Sequence, residues 1–488
     1  MLFPTFDFAL FFIVVFTASW LIRNKAQPRK LILLGASYFF YGYWDYRFLA
    51  LLAVSSTMNY AAGVAMTKAE NDTLKRRIAA VAVIANLVIL GFFKYYGFFL
   101  ESLIDLMIAT GLQRDLPFLE IILPIGISFF TFQGISYVVD VYRKQIKPVE
   151  TPVDLFLYIS FFPQLVAGPI VRASDFLPQL AKKCELNNPA VVFGFLLILS
   201  GLVKKTLVAH YLAVELVDPV FFDPSSYSSL DLIGAHYGYT VQVYCDFSGY
   251  SDIAIGAAAL LGYRFKKNFD RPFSATSLVQ LWQRWHISLS TWLRDYLYRW
   301  LRGAKRDSGW RMYKNIFLTM LLGGLWHGAA WTFVIWGAIH GAALVAERVV
   351  KGKWNKWTGK TKSRQTGTMT IAERCSNTTK YWLGWLFTFH VFSIATIFFR
   401  SPDMETATAF FAGIFQWTGS VELFSPFMLA LIIGAVAIQF LPGNVFERIA
   451  QRYQNAGMVA LGLMLGGSLL LMEAIGPEGV APFIYFQF

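Results

Sequence analysis

The chain has 488 residues, 56% hydrophobic and 15% charged, with a mean hydropathy of +0.48. Soluble domains carry about 25% charged residues, so the composition excludes a water-soluble globular protein and indicates a polytopic membrane protein. The net charge of +13 lies in short basic stretches between apolar spans, which fits cytoplasmic loops and argues against a nucleic-acid partner. Cys184, Cys245 and Cys375 are scattered, so neither a disulfide framework nor a metal site is expected. Phe8–Ile22 is apolar and no small-residue cleavage site follows, so it reads as a retained first helix. The loop Arg23–Lys30 is basic without an acid, which places it inside and the N-terminus outside. Leu31–Tyr43 and Phe48–Met66 return to a second basic loop, Lys68–Arg77. Ile78–Leu100 exits to a more acidic loop with Glu101, Asp105, Asp115 and Glu120, and Ile121–Val141 re-enters to Arg143–Lys147.

Leu155–Ile170 departs from this alternation. Pro163, Gly168 and Pro169 break it, and basic residues flank it on both sides (Lys147; Arg172, Lys182, Lys183). A re-entrant segment is expected, tolerated where protein or water covers its free backbone groups. Ala190–Val217 crosses outward, with Lys204 and Lys205 placed to snorkel or line a cavity, and Asp218–Asp231 is an acidic outer loop. Leu232–Tyr263 returns carrying Asp246 and Asp252, six residues apart on different helix faces; they read as partnered structural acids rather than a catalytic pair. Leu278–Leu301 is amphipathic, with Leu281, Trp285, Ser288 and Trp292 in one stripe, and is expected to lie at or in the cytoplasmic interface. It contains His286.

Asn315–Glu347 has basic flanks at both ends and exceeds one span of about 20 residues. An in–out–in pair broken near Gly323–Gly328 satisfies both facts and puts His327 at a helix break. An ionisable group in hydrocarbon is costly and by default marks a functional site. Trp326 and Trp331 flank His327 and are candidates to wall a pocket. The alternative for His327 and His340 is a helix–helix hydrogen bond. Lys351–Lys380 is a basic cytoplasmic loop, and Tyr381–Phe399, Phe427–Leu441 and Met458–Leu471 supply the last spans, leaving APFIYFQF outside. The expected fold is an all-α polytopic membrane protein of about twelve transmembrane helices plus re-entrant and interfacial pieces. Residues 1–488 read as a single domain.

The blocks LPIGISFFTFQGISYVVDVYR (Leu123–Arg143), FFPQLVAGPIVR (Phe161–Arg172), YCDFSGYSDIAIG (Tyr244–Gly256), QRWHISLSTWLRDYLY (Gln283–Tyr298) and LTMLLGGLWHGAAWTFVIWGAIHG (Leu318–Gly341) carry a resemblance over nearly the whole chain. The chain resembles the membrane-bound O-acyltransferases, in the bacterial branch that contains the integral-membrane subunit of alginate O-acetylation. The resemblance implies helices around a central tunnel, with His327 as the signature histidine and His286 as the second histidine of this branch. It also implies an acyl thioester arriving from inside and an acceptor from outside. Related branches serve alginate, peptidoglycan and cellulose O-acetylation, and D-alanylation of teichoic acids.

Acyl transfer needs a base at the attacking hydroxyl and a donor for the tetrahedral oxyanion. A neutral imidazole suits the first task near neutrality, so His327 is the expected general base, with a transient acetyl-imidazole as a variant. His286, or a backbone N–H at the helix break, is placed to orient the thioester or bind the oxyanion. No P-loop or GxGxxG motif is present to hold coenzyme A phosphates. Arg264, Lys266, Lys267, Arg271, Arg284 and Arg294 form the expected cytoplasmic receiver, the alternative being positive-inside anchoring. No permanently bound cofactor is expected, with acetyl-CoA as donor substrate. A periplasmic SGNH-type acetyltransferase or polysaccharide-modification complex is expected as partner, in a bacterial inner membrane. Rival readings are a proton-coupled secondary transporter with His327, His340 and Asp246 as relay, and a scaffold anchoring an export machine.

Overall fold

The computed structural model describes all residues except 2, 4, 113–118, 120, 167, 183–187, 304–307, 358–370, 454–461, 464–465 and 468–488, and the side chains of 188–189, 354–357 and 371–377. Asp115, Glu120, Lys183, Cys184, most of the expected span Met458–Leu471 and the C-terminal APFIYFQF lie outside the described residues. Among the described residues every regular element is helical. Two compact units are distinguished: Met1–Leu207 with Asp246–Lys267 and Phe446–Phe488, and Val208–Cys245 with Asn268–Val445.

In the first unit, α1 (Phe6–Leu21) starts where Thr5 Oγ1 accepts the Phe8 amide, and is followed by α2 (Ala26–Gly42) and α3 (Leu49–Lys68). In α4 (Asp72–Ala109), Asn71 caps the first turn through the Leu74 amide. With no Gly or Pro after Gly97 to stop it, α4 runs through Glu101 and Asp105, which the sequence had placed in a loop. Next, α5 (Ile127–Tyr142) begins at Gly126, whose φ of +76° and whose approach to the Leu165 carbonyl, 2.6 Å from where a Cβ would stand, both require glycine. The segment expected to be broken is broken: α6 (Pro152–Ser160) and α7 (Phe162–Leu165) are separated at Phe161, and α8 (Ala173–Leu180) follows. Its backbone is covered by protein. The Phe162 amide donates to Ser37 Oγ (3.1 Å), and Tyr158 Oη–H donates to the Val171 carbonyl (2.9 Å).

One continuous helical run, Ala190–Phe222, comprises α9 (Asn188–Leu202), a π-helical stretch Val203–Ala209, α10 (His210–Leu212), a second π-helical stretch Ala213–Val217 and α11 (Asp218–Phe222). It is followed by α12 (Ser229–Leu260), whose second half belongs to the first unit. There α9 meets α12 backbone to backbone. A Cβ on Gly201 would stand 2.5 Å from the Gly249 carbonyl, and one on Gly256 2.6 Å from the Gly194 carbonyl. This close crossing sets Lys204 against Asp252 (2.6 Å) and Lys205 against Asp246, so both acids are partnered as the sequence indicated.

The second unit contains α13 (Leu278–Arg284), α14 (Ile287–Trp292), a π-helical stretch Leu293–Tyr298 and α15 (Arg299–Arg302). The single amphipathic helix expected over Leu278–Leu301 is therefore interrupted at Trp285–His286. Beyond it lie α16 (Gly309–His327), α17 (Trp331–Trp357), α18 (Ile371–Arg400), α19 (Met404–Gln416) and α20 (Pro426–Ala437). The first-unit α21 (Val445–Arg452) follows. The expected basic loop Lys351–Lys380 is helical at both described ends, and α19 has no counterpart among the expected elements. After α19, Asp231 fastens the 422–424 turn. Burial pushes its carboxyl up, but Ser228 Oγ–H and the amides of Phe424, Glu422 and Leu423 outweigh burial and hold it below the ordinary carboxylate range.

Five helices among the described residues are long and apolar enough to cross a bilayer: Tyr46–Lys68, Asp72–Ala109, Ala190–Phe222, Trp331–Lys353 and Thr378–Arg400. The bent pair Pro426–Phe440 and Val445–Arg452, at 76°, makes up to six. The chain is a multi-pass helical protein.

Candidate active site

The site is built on the hairpin of α16 and α17. Glycines set how closely the two helices approach: a Cβ on Gly337 would lie 2.6 Å from the Met320 carbonyl, and one on Gly341 3.1 Å from the Phe317 carbonyl. Gly337 and Gly341 form a G-x-x-x-G face, the pattern that lets membrane helices touch through their backbones. The break falls at Gly328–Ala330, at the end of the expected Gly323–Gly328 stretch and immediately after His327; Gly323 and Gly324 lie inside α16. Gly328 is extended (φ −154°, ψ 155°) and sits under the Phe333 ring, leaving no room for a side chain.

His327 is thereby the last residue of α16. It is 4% exposed and enclosed edge-to-face by Trp326 (5.1 Å between ring centroids), Trp336 (4.9 Å) and Phe399 (5.2 Å). Trp331, the other expected wall, is 57% exposed at the start of α17; Trp336, further along the helix, supplies a ring against His327.

His286 reaches the same aromatic wall, 5.9 Å from Trp326. It occupies the break between α13 and α14 in the left-handed region (φ +40°) and is fully buried. Asn268 holds it there. The Ile287 amide donates to the Asn268 carbonyl (2.8 Å), and Asn268 Oδ1 accepts from the Ser288 amide (3.1 Å), from Ser288 Oγ–H (2.8 Å) and from His286 Nδ1 (3.2 Å). A backbone amide only donates, so the Asn268 atom is the oxygen, the imidazole proton sits on Nδ1 and Nε2 carries a lone pair. Two imidazoles thus flank one indole, each fixed by a chain break.

The six basic residues expected to receive coenzyme A divide between the units. Lys266 pairs with Asp175 (2.7 Å), Lys267 with Glu447 (2.7 Å), and the Arg264 backbone is clasped by the Gln179 amide (2.8 and 3.0 Å). In the other unit Arg271 donates to the Leu441 carbonyl (3.0 Å), Arg284 to Ser274 Oγ (2.7 Å), and Arg294 makes a fork with Asp295 (2.9 and 3.0 Å). His236 and His390 bond Ser393 Oγ (3.1 Å) and Tyr237 Oη (2.9 Å) between α12 and α18. Asn268, Trp336 and Phe399 were not identified from sequence. Asn268 lies eighteen positions before His286, and no spacing rule links them.

A multi-pass helical protein with a buried histidine at a helix break and a second one beside it defines a class. The chain belongs to the membrane-bound O-acyltransferase family, whose model matches residues 38–383. It is therefore an acyltransferase, as the resemblance implied. Among its relatives is a Pseudomonas aeruginosa protein named probable alginate O-acetylase AlgI, 37% identical over 447 residues (90% of this chain, 80% of the relative). A Helicobacter pylori peptidoglycan O-acetyltransferase is 34% identical over 445 residues (85% and 80%). A Bacillus subtilis teichoic acid D-alanyltransferase is 30% identical over 245 residues (48% and 60%).

Proposed function

We propose that the chain moves an acetyl group from cytoplasmic acetyl-CoA, across an inner membrane it spans about twelve times, for O-acetylation of an exported, alginate-like polysaccharide. Peptidoglycan or cellulose is the alternative acceptor. The acetyl assignment is supported by coverage: the relatives named for O-acetylation align over most of both chains, the D-alanyltransferase over about half of this one. A bulky polymer favours handing the acetyl group to a periplasmic partner transferase that completes the modification.

The observation that carries the reading is the pair of buried imidazoles at chain breaks, with ring centroids 5.9 and 5.1 Å from that of Trp326. In the proposed step His327 takes the proton of the attacking hydroxyl as its oxygen bonds the thioester carbonyl carbon. The tetrahedral intermediate expels the thiolate, which receives that proton back from the imidazolium. A backbone N–H at the break before α17 is the proposed donor for the oxyanion; the Phe333 and Val334 amides are already taken by the Ala330 carbonyl (3.2 and 3.3 Å). His286, with its lone pair on Nε2, is an acceptor and suits holding the hydroxyl or an amide N–H of the donor. The basic residues Arg264, Lys266, Lys267, Arg271, Arg284 and Arg294 remain the proposed phosphate contacts.

The test is acetyl transfer from labelled acetyl-CoA in membranes carrying the parent or His327→Ala. Loss of about 10²–10⁴-fold is expected, with the protein level in the membrane unchanged. Retained transfer in that variant removes His327 from the mechanism; proton-coupled solute flux in liposomes without thioester turnover would support the transporter instead.

A further inference from the structure

One face of α17 carries Thr332, Trp336 and His340, spaced four apart and so stacked along the helix. Thr332 Oγ1, Trp336 Nε1 and both ring nitrogens of His340 are buried without a hydrogen-bond partner, and so is Trp282 Nε1 of α13. His340, Trp336 and Trp282 form a triangle of rings: 4.6 Å from His340 to Trp336, 5.0 Å from His340 to Trp282 and 5.7 Å between the two indoles. His340 has no exposed surface, and Phe392 lies 5.8 Å away on another side. Structural histidines of this chain behave differently: His236 and His390 each hold a partner. A buried polar atom left unmatched costs about 1–3 kcal/mol, so the four within the His340–Trp336–Trp282 triangle mark groups that pair with something other than protein.

We propose that this face binds the uncharged, amide-bearing arm of the acyl thioester donor; the inference rests on the thioester reading above. The chemistry of the groups selects the ligand. Two indoles only donate, an imidazole and a hydroxyl each donate and accept, and the set is neutral. It therefore matches a linear chain with carbonyl acceptors and an occasional N–H, and not a phosphate. Length and direction agree. His340 to Trp336 is four residues of helix, about 6 Å, and Trp336 touches His327, with Thr332 one turn beyond. An arm lying along this face has its thioester end delivered to the His327 imidazole, and His340 is a donor-binding residue rather than a base.

The experiment uses the full chain, purified in detergent, with acetyl-CoA as donor and His340→Phe as the main variant. Replacing a polar ring by an apolar one of similar shape removes the unmatched atoms and is near neutral for folding, so the unfolding temperature is expected to equal or exceed the parent's. The KM for acetyl-CoA should rise about tenfold, the equivalent of one hydrogen bond, with kcat at saturation and the pH profile kept. His340→Gln, which retains a donor and an acceptor, should recover most of the loss. A second readout leaves the parent intact: S-acetylpantetheine should outperform S-ethyl thioacetate, which has no amide, and His340→Phe should erase that advantage. A KM within twofold of the parent, or an undiminished preference for the amide-bearing donor, overturns the proposal. Absence of acetyl-CoA turnover by the parent would instead refute the donor assignment itself.

Discussion

Two regions of the molecule, the α9–α12 crossing and the α17 face, treat buried polar groups in opposite ways. In the first, Lys205 and Asp246 neutralise one another at 2% and 4% side-chain exposure, Lys204 and Asp252 do the same nearby, and glycines press the two helices together around them. In the second, the α17 face leaves neutral groups unmatched beside His327. Charges buried with their partners hold helices in register. Neutral donors buried without partners on the α17 face are, in our proposal, set aside for a ligand.

Four changes would break or sharpen that contrast. The largest effect belongs to Asp246→Ala, which strands the Lys205 ammonium in the interior at a cost of about 3–5 kcal/mol. Loss of the protein from the membrane fraction is the expected readout, and adding Lys205→Met should restore it with acetyl transfer intact. If the double variant accumulates but is inactive, the pair takes part in function and the contrast fails. Asn268→Ala should act on rate rather than folding. With the oxygen gone, His286 loses its tautomer and its left-handed turn loses its anchor, and such misplacement costs on the order of 10²-fold in kcat/KM. Unchanged turnover there would remove His286 from the reaction.

Smaller effects follow at the crossing and the surface. Gly201→Ala forces α9 off the Gly249 carbonyl, and overpacking of this kind costs about 1–3 kcal/mol; a lowered unfolding temperature without a change in KM is expected. Lys266→Ala sits at the weak end. Its pair with Asp175 is mostly exposed, and such pairs contribute little to stability. Any effect should be a rise in KM for acetyl-CoA that fades with added salt. A salt-independent change would mean that Lys266 acts through structure and not through phosphate charge.

The membrane class, the broken segment at Pro163–Pro169, the partnered acids and the two histidines were legible in the sequence because each is a local signal. Hydropathy, proline and glycine placement, and an ionisable residue in an apolar run all act within a few positions. Helix limits were less legible: Glu101 and Asp105 continue α4, since polar residues mark a loop only on average and nothing there terminates a helix. Trp336 and Asn268 could not be found locally. One joins the site because two chain breaks bring α16, α17 and α13 into contact, the other because an amide oxygen happens to complete three hydrogen bonds from a distant turn.

By itself the sequence determined that this chain lives in a bilayer as a bundle of helices and that His327 and His286 are its uncommon residues, because burying backbone in hydrocarbon leaves few folds open and makes every polar exception visible. Only the tertiary structure decided which nitrogen of His286 keeps its proton, which ring faces His327, and that the α17 stripe is unmatched. Those are matters of distance and donor geometry between segments far apart in the chain, and no periodicity encodes them.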